Sequence, residues 1–140
     1  MAVFARLSRA HVAASAAIET TLGRHGLKRG EFDLLASLRR AAPPFRLSPG
    51  ELARAMVLSP AATTHRLQRL EDRGLVIRSS HPDDARHGVV ELSQAGKALV
   101  DEAVTDHVAT LDALLSGLAP PDRDRLAALL ATVEEGAAGR

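Results

Sequence analysis

The sequence predicts a mainly α-helical fold that carries one small β-hairpin. Three observations lead there. Apolar residues recur at spacings of three and four through most of the chain. Ser-Pro pairs at 48–49 and 59–60 open two helices only a few residues apart. A short run, Leu75-Val76-Ile77, is followed beyond a polar stretch by a second, Val89-Val90-Glu91-Leu92.

Each element has its own signature. Phe4, Leu7, His11, Ala14, Ile18 and Leu22 share one face of a helix over Val3 to about Gly23, and Gly26 stops it. A second helix runs from about Arg29 to Ala42 on Phe32, Leu35 and Leu38, with Pro43 and Pro44 ending it. Phe45-Arg46-Leu47 has room only for a bridge-like extended segment. Ser48, Pro49 and Glu51 then supply N-cap, N1 and N3 of a short helix through Leu52, Ala53 and Met56, a complete capping box. Ser59 and Pro60 repeat that grammar, and the helix they open continues through Leu67 and Leu70 to Gly74.

Two short helices with the second starting at a cap outline a helix-turn-helix, and a hairpin directly after it is a wing. The wing's connecting stretch, Arg78 to Gly88, is polar and turn-forming through Pro82 and Gly88. Ser93 caps a long fifth helix whose stripe is Leu99, Ala103, His107, Leu111, Leu114 and Leu118. Ala119-Pro120-Pro121 breaks it. A sixth helix over Asp122 to about Glu135 aligns Leu126, Leu129, Leu130 and Val133, and the Gly136–Arg140 end is expected to fray.

Composition narrows the function. With 140 residues, 46% hydrophobic and 25% charged, the chain has the balance of an ordinary globular domain and not of a disordered one. Cysteine is absent, which excludes disulfides, cysteine-ligated zinc and thiol redox sensing. No apolar run approaches the roughly 20 residues of a membrane span, and Met1 to Arg9 lacks a signal-peptide core, so a cytoplasmic protein is expected. The net charge of +1 hides a gradient: +4 over residues 1–45, +1 over 46–92 and −4 over 93–140. An acidic final third repels phosphate, so a nucleic-acid surface belongs in the first two thirds.

The second helix of the helix-turn-helix suits duplex DNA. Thr63, Leu67 and Leu70 face inward, which turns Ala61, Ala62, His65 and Arg69 outward, flanked by Thr64, Arg66 and Gln68. Small residues near its start let the backbone approach a groove floor. Ser59 and the free N–H groups of the first turn, which Pro60 opens at N1, suit a phosphate oxygen. Arg66 or Arg69 suits guanine O6 and N7 or a phosphate, His65 a base acceptor, and Ala61 or Ala62 a thymine methyl. In the wing, an arginine suits a narrow minor groove, with Asp83 or Asp84 holding it by a bidentate ion pair.

At this point the residues resemble a known family. Glu31-Phe32-Asp33-Leu34-Leu35, Leu58-Ser59-Pro60, the run Arg66-Leu67-Gln68-Arg69-Leu70-Glu71-Asp72-Arg73-Gly74-Leu75-Val76, and Pro82-Asp83-Asp84-Ala85-Arg86 through Leu92-Ser93-Gln94-Ala95-Gly96 look like MarR-type regulators. The resemblance implies one MarR-type domain over 1–140. About 29–93 would be the winged helix-turn-helix, with dimerisation helices at about 3–24 and 94–136. It further implies a homodimer on a pseudo-palindromic operator, most often a repressor, released by a small-molecule effector bound between the dimerisation and DNA-binding parts. By motif, Ser59 to Arg69 map to the recognition helix, Arg86 to the wing arginine and Asp84 to its supporting carboxylate. His81 stands where the wing usually begins with Asp, and Ala85-Arg86 where two arginines are usual.

The bottom-up reading agrees on assembly, because the terminal stripes exceed what a winged module of roughly 70 residues covers, so a two-fold partner is expected. Two such recognition helices stand roughly 34–36 Å apart, one DNA turn. His11 and His107, on the stripes of the first and fifth helices, are candidate ligand-binding residues. His81 and His87 flank the wing, where protonation near pH 6 adds charge. With only Phe4, Phe32 and Phe45 as aromatics, an effector pocket is expected to be largely aliphatic. No cofactor or metal set is legible. An enzyme is not expected, since no nucleophile–base–acid set appears. The competing reading is a winged-helix protein–protein interaction module without specific operator binding.

Overall fold

The computed structural model describes residues 1–80 and 88–139. Among these described residues six helices and three strands follow in the order α1 (Ala2–Arg24), α2 (Arg29–Arg40), β1 (Arg46–Leu47), α3 (Pro49–Met56), α4 (Pro60–Asp72), β2 (Val76–Ser80), β3 (Gly88–Leu92), α5 (Gln94–Leu114) and α6 (Pro120–Ala138). Helix α1 and helix α4 are each followed by a left-handed glycine, Gly26 at φ 65° and Gly74 at φ 70°. At both stops a backbone N–H reaches back over the last turn, from Leu27 to the Leu22 carbonyl and from Leu75 to that of Leu70.

The capping grammar forms as the sequence reads. Ser48 Oγ accepts from the Glu51 N–H at 3.1 Å, and a Glu51 carboxylate oxygen accepts from the Ser48 N–H at 2.7 Å. That backbone donor, then the Ser48 side chain and the charge of Arg54, hold the Glu51 carboxyl below its ordinary value of 4.5. Between α3 and α4 only Val57, Leu58 and Ser59 intervene, and Val57 takes a left-handed conformation at φ 53° while 91% exposed.

One buried cluster joins the elements. Ile18 and Leu22 of α1, Phe32, Leu34, Leu35 and Leu38 of α2, Leu52 of α3, Leu67 and Leu70 of α4, Val76, Val90 and Leu92 of the sheet, and Val100 and Ala103 of α5 all belong to it. The sheet is antiparallel in the order β1-β3-β2, with Arg46 opposite Glu91 and Val76 opposite Leu92. The segment expected only as a bridge therefore adds a third strand. Gly96, in the first turn of α5, rests directly on the chain entering β2: a Cβ there would lie 2.0 Å from the Leu75 carbonyl oxygen.

Several boundaries differ from the sequence reading. Helix α2 stops at Arg40, two residues early, because Ala42 turns left-handed at φ 62° before the prolines are reached. Strand β2 takes in Arg78, Ser79 and Ser80, which the pattern assigned to the connecting stretch. Helix α5 ends at Leu114, so Leu118 lies on a turn, and α6 begins with Pro120 at N1. Helix α6 continues to Ala138, past the end expected to fray.

The terminal stripes divide. Leu22, Ile18 and Ala103 are buried, but Phe4 is 66% exposed and Leu129 58%, and Leu7, Leu111, Leu114, Leu126 and Val133 are also exposed. Helix α6 buries no residue in the single chain.

Two outcomes follow from these contacts. Gly96→Ala forces a methyl into a backbone carbonyl that cannot swing aside, and is expected to cost roughly 2–3 kcal/mol in urea unfolding. Glu51, with its carboxyl lowered on folding, contributes stability above its ordinary titration range and loses it as pH falls through the lowered value. Glu51→Gln is therefore expected to be less stable at pH 7, with a urea midpoint that falls less between pH 7 and pH 3 than the parent's.

Candidate nucleic-acid interface

Helix α4 is fixed by its inner face. Thr63, Leu67 and Leu70 are each 1% exposed or less, and Thr63 Oγ1 donates to the Ser59 carbonyl at 3.0 Å. Since one side of a helix faces the core, the other is determined. Ser59, Pro60, Ala61, Thr64 and His65 are exposed along it, as are Gln68 and Arg69, while Ala62 and Arg66 are half-buried.

The polar groups on this face are more committed than the sequence suggests. Ser59 Oγ accepts from the Ala62 N–H at 3.2 Å, and the Ser59 carbonyl accepts from the Thr63 N–H. Pro60 has no N–H, so the first turn offers chiefly the Ala61 N–H to an anion. Thr64 Oγ1 donates to the Pro60 carbonyl at 2.9 Å, and Gln68 Nε2 donates to Asp72 Oδ1 at 2.9 Å.

The arginines of α4 fold back toward α2. The Arg66 guanidinium lies over Gly30, so close that a Cβ at Gly30 would meet Arg66 Cζ at 2.5 Å. Arg69 Nη2 stands 3.2 Å from Glu31 Oε1, and Arg73 Nη1, at the helix end, 3.3 Å from Glu31 Oε2. Glu31 is 4% exposed, and its Oε2 also accepts from the Lys28 N–H at 2.9 Å. Sequence reasoning placed Glu31 only within a family motif and missed both contacts. A glycine one residue inside a helix start was the available signal for the Arg66 seat. Nothing local signals the Glu31 bridge, whose partners lie about forty residues along the chain.

The wing residues Asp84 and Arg86, with His81 and His87, fall outside the described residues. Below the tip, Arg78 Nη1 lies 3.9 Å from Glu71 Oε2, a loose tie between β2 and α4.

Behind α4 opens a cavity of about 460 Å³ between α2, α3, α4 and α5. Phe32, Ala36, Met56 and Val104 form its apolar wall, and Arg40, Arg66, His107, Ser37 and Asp33 its polar one. His107 and Phe32 set their rings 4.9 Å apart, tilted by 52°, so the wall is more aromatic than composition suggests. The His107 Nδ1 is buried without a hydrogen-bond partner among the described residues. Arg66 has no carboxylate within ion-pair distance among the described residues. His11, the other histidine singled out, is exposed on α1 and does not line this cavity. No group of three or more His, Asp or Glu side chains placed to hold a metal occurs among the described residues. Among the described residues no helix is long and apolar enough to cross a membrane.

Gly30→Ala is expected to evict the Arg66 guanidinium while α2 keeps its fold, because the group displaced is the end of a flexible side chain. The melting temperature should stay within a few degrees, and the Arg66 Nε–H resonance should lose its protection from solvent exchange.

Comparisons with known proteins agree with this architecture. Residues 25–87 match the family model described as "MarR family". The regulator PecS of Dickeya dadantii is 33% identical over 135 residues, 96% of this chain and 81% of PecS. The MarR family regulator Sco3205 of Streptomyces coelicolor, solved in complex with DNA, superposes with a TM-score of 0.84 at 25% identity, over 96% of this chain and 84% of that one. BpsR of Bordetella bronchiseptica, whose DNA binding is regulated by 6-hydroxynicotinic acid, gives a TM-score of 0.80 at 27% identity, over 94% and 92% of the two chains. With a mainly helical fold, a three-stranded antiparallel sheet and α3–α4 set as a helix-turn-helix, the chain belongs to the MarR family of DNA-binding transcription regulators.

Proposed function

We propose that this regulator is a homodimeric repressor that binds a pseudo-palindromic operator through α4 and leaves it when a small molecule fills the cavity behind α4. The observation that carries the reading is the outward face of α4: small or neutral residues from Ser59 to His65 on a helix whose other side is buried. That shape admits a major groove closely, with Ala61 and Ala62 at the floor and His65 within reach of base edges. Arg66 and Arg69 flank the contact, and Arg86 supported by Asp84 reaches the adjacent minor groove from the wing. The DNA complex of Sco3205 supports the mode of docking by analogy.

Dimerisation rests on the uncovered stripes. Phe4 and Leu7 of α1 and Leu126, Leu129 and Val133 of α6 form exposed apolar surface, and a groove lined by Val3, Leu7, Ala10, Leu126 and Leu130 runs between the two helices. A second copy covers it about a two-fold axis. The acidic charge of α5 and α6 then lies away from phosphate. A dimer in two successive major grooves occludes the duplex beneath it, which is repression by occupancy. No catalytic role or cofactor enters this reading, and the site of action is the cytoplasm.

The cavity fits a small amphipathic effector with an acidic group. Its volume suits a one- or two-ring compound. Arg40 and Arg66 outnumber Asp33 on its polar wall, and the unpartnered His107 Nδ1 offers one more hydrogen bond. BpsR, regulated by an aromatic acid, is consistent with that chemistry. Because Arg66 belongs to α4, an anion in the cavity acts directly on the helix that reads DNA.

Genomic fragments retained by the protein at 150 mM salt test the reading. A palindromic consensus with half-sites one turn apart is expected, bound by a dimer in ultracentrifugation. His65→Ala should weaken consensus binding roughly 5- to 100-fold while leaving the melting temperature unchanged. Leu129→Glu should give monomers and lose the consensus. Retention without any consensus, equal for random duplex, would favour the protein–protein module.

A further inference from the structure

Glu31 has no assigned part in reading DNA, yet it is the most deeply buried carboxylate among the described residues. A glutamate at the third position of a helix needs one oxygen to serve the helix start, and Oε2 does this through the Lys28 N–H. Nothing in that role requires burial between two guanidinium groups. Desolvating a carboxylate is costly unless it is compensated, and here Arg69 and Arg73 compensate it. Neither arginine is itself buried: their side chains are 43% and 38% exposed, so both reach solvent beside the outward face of α4.

The two contacts differ. Oε2 is a hydrogen-bond acceptor for Arg73 and for the Lys28 backbone. Oε1 has Arg69 within charge-contact distance but receives no well-directed hydrogen bond from it. Arg69 is thus held by charge alone. With Arg66 seated on Gly30, all three arginines of the segment point toward α2, and the exposed residues from Ala61 to Gln68 other than these are uncharged or histidine.

We infer that Glu31 is a specificity-determining residue: its carboxylate, bridging Arg69 and Arg73, withholds two cations of the DNA-facing helix from indiscriminate contact with phosphate. The inference rests on the DNA reading above. Phosphate contact is independent of sequence and strengthens every duplex equally, whereas base contact distinguishes one duplex from another. A helix that approached DNA with three free arginines would grip any sequence. Occupying two of them with an internal anion lowers that background and leaves discrimination to the neutral face. The operator, held long enough by its base contacts, still draws on whatever phosphate interaction the ion pair permits.

The test is salt-dependent binding of the full-length protein to a random 30-bp duplex and to its selected consensus. Freed arginines steepen the slope of log Kobs against log salt by about 0.9 each. Glu31→Gln keeps the shape and the Lys28 contact and removes the charge. It is expected to bind random duplex more tightly at 50 mM salt and to lose about 3.5-fold more affinity per freed arginine between 50 and 200 mM than the parent. Its preference for consensus over random duplex should fall. Arg69→Gln alone should flatten the random-duplex slope by well under the roughly 0.9 of a free arginine, and combined with Glu31→Gln it should remove part of the added slope. A merely structural Glu31 would weaken binding to both duplexes without steepening the slope, which overturns the inference. An Arg69→Gln variant whose slope is shallower by about 0.9 in the otherwise native protein overturns it too, even if Glu31→Gln fails to fold. A parent protein that binds neither duplex at 50 mM salt overturns the DNA reading and this inference together.

Discussion

Everything exposed on α4 is set by what α4 hides. Thr63, Leu67 and Leu70 are held at 1% exposure or less against the cluster shared with Leu34, Leu38 and Leu52. A rotation of the helix by one position would bring a polar group into that cluster, at a penalty of roughly 1–3 kcal/mol for each unsatisfied group. The apolar contact therefore aims the outward face with little freedom left over. The polar contacts then refine it: Ser59 closes the first turn, Gly30 receives Arg66, and Glu31 gathers Arg69 and Arg73.

The fold shows a division of labour along its helices. The C-terminal half of α1 and the N-terminal half of α5 run into the core, and α1 lies along the second half of α5. There Thr21 and Thr110 share a hydrogen bond of 2.7 Å, and His25 Nε2 meets Asp106 Oδ2 at 2.8 Å. Their other ends, with α6, carry apolar residues that the single chain leaves uncovered. The same helices are thus packed into the core at one end and leave apolar side chains exposed at the other. The cavity lined by His107 and Phe32 sits at that junction.

How much was legible from sequence depended on whether the signal was local. Caps at Ser48, Ser59 and Ser93 and stops at Gly26 and Gly74 are written in neighbouring residues, and all form in place. The inward triad of α4 follows from helical spacing, and it is buried. Strand β1 has two residues, too few for any alternation to register, and exists because β3 offers it an edge. Leu118 fell on the α5 stripe by spacing alone, although the helix had ended four residues earlier. The candidate face from Ser59 to His65 was readable in outline, but the fates of Arg66 and Arg69 were not. Both are decided by α2, and no pattern within α4 points there.

The pairing of β1 with β3 also bears on how the chain can vary in length. From Phe45 onward the backbone is pinned: the Phe45 carbonyl accepts from the Leu92 N–H, and Arg46 and Leu47 lie in register with Glu91 and Val90. Ahead of it, Ala42, Pro43 and Pro44 are exposed between a finished helix and a fixed strand. Inserted residues would loop out harmlessly at 42–44, whereas a single extra residue after Phe45 would slide the strand and turn Leu47 out of its place over the core.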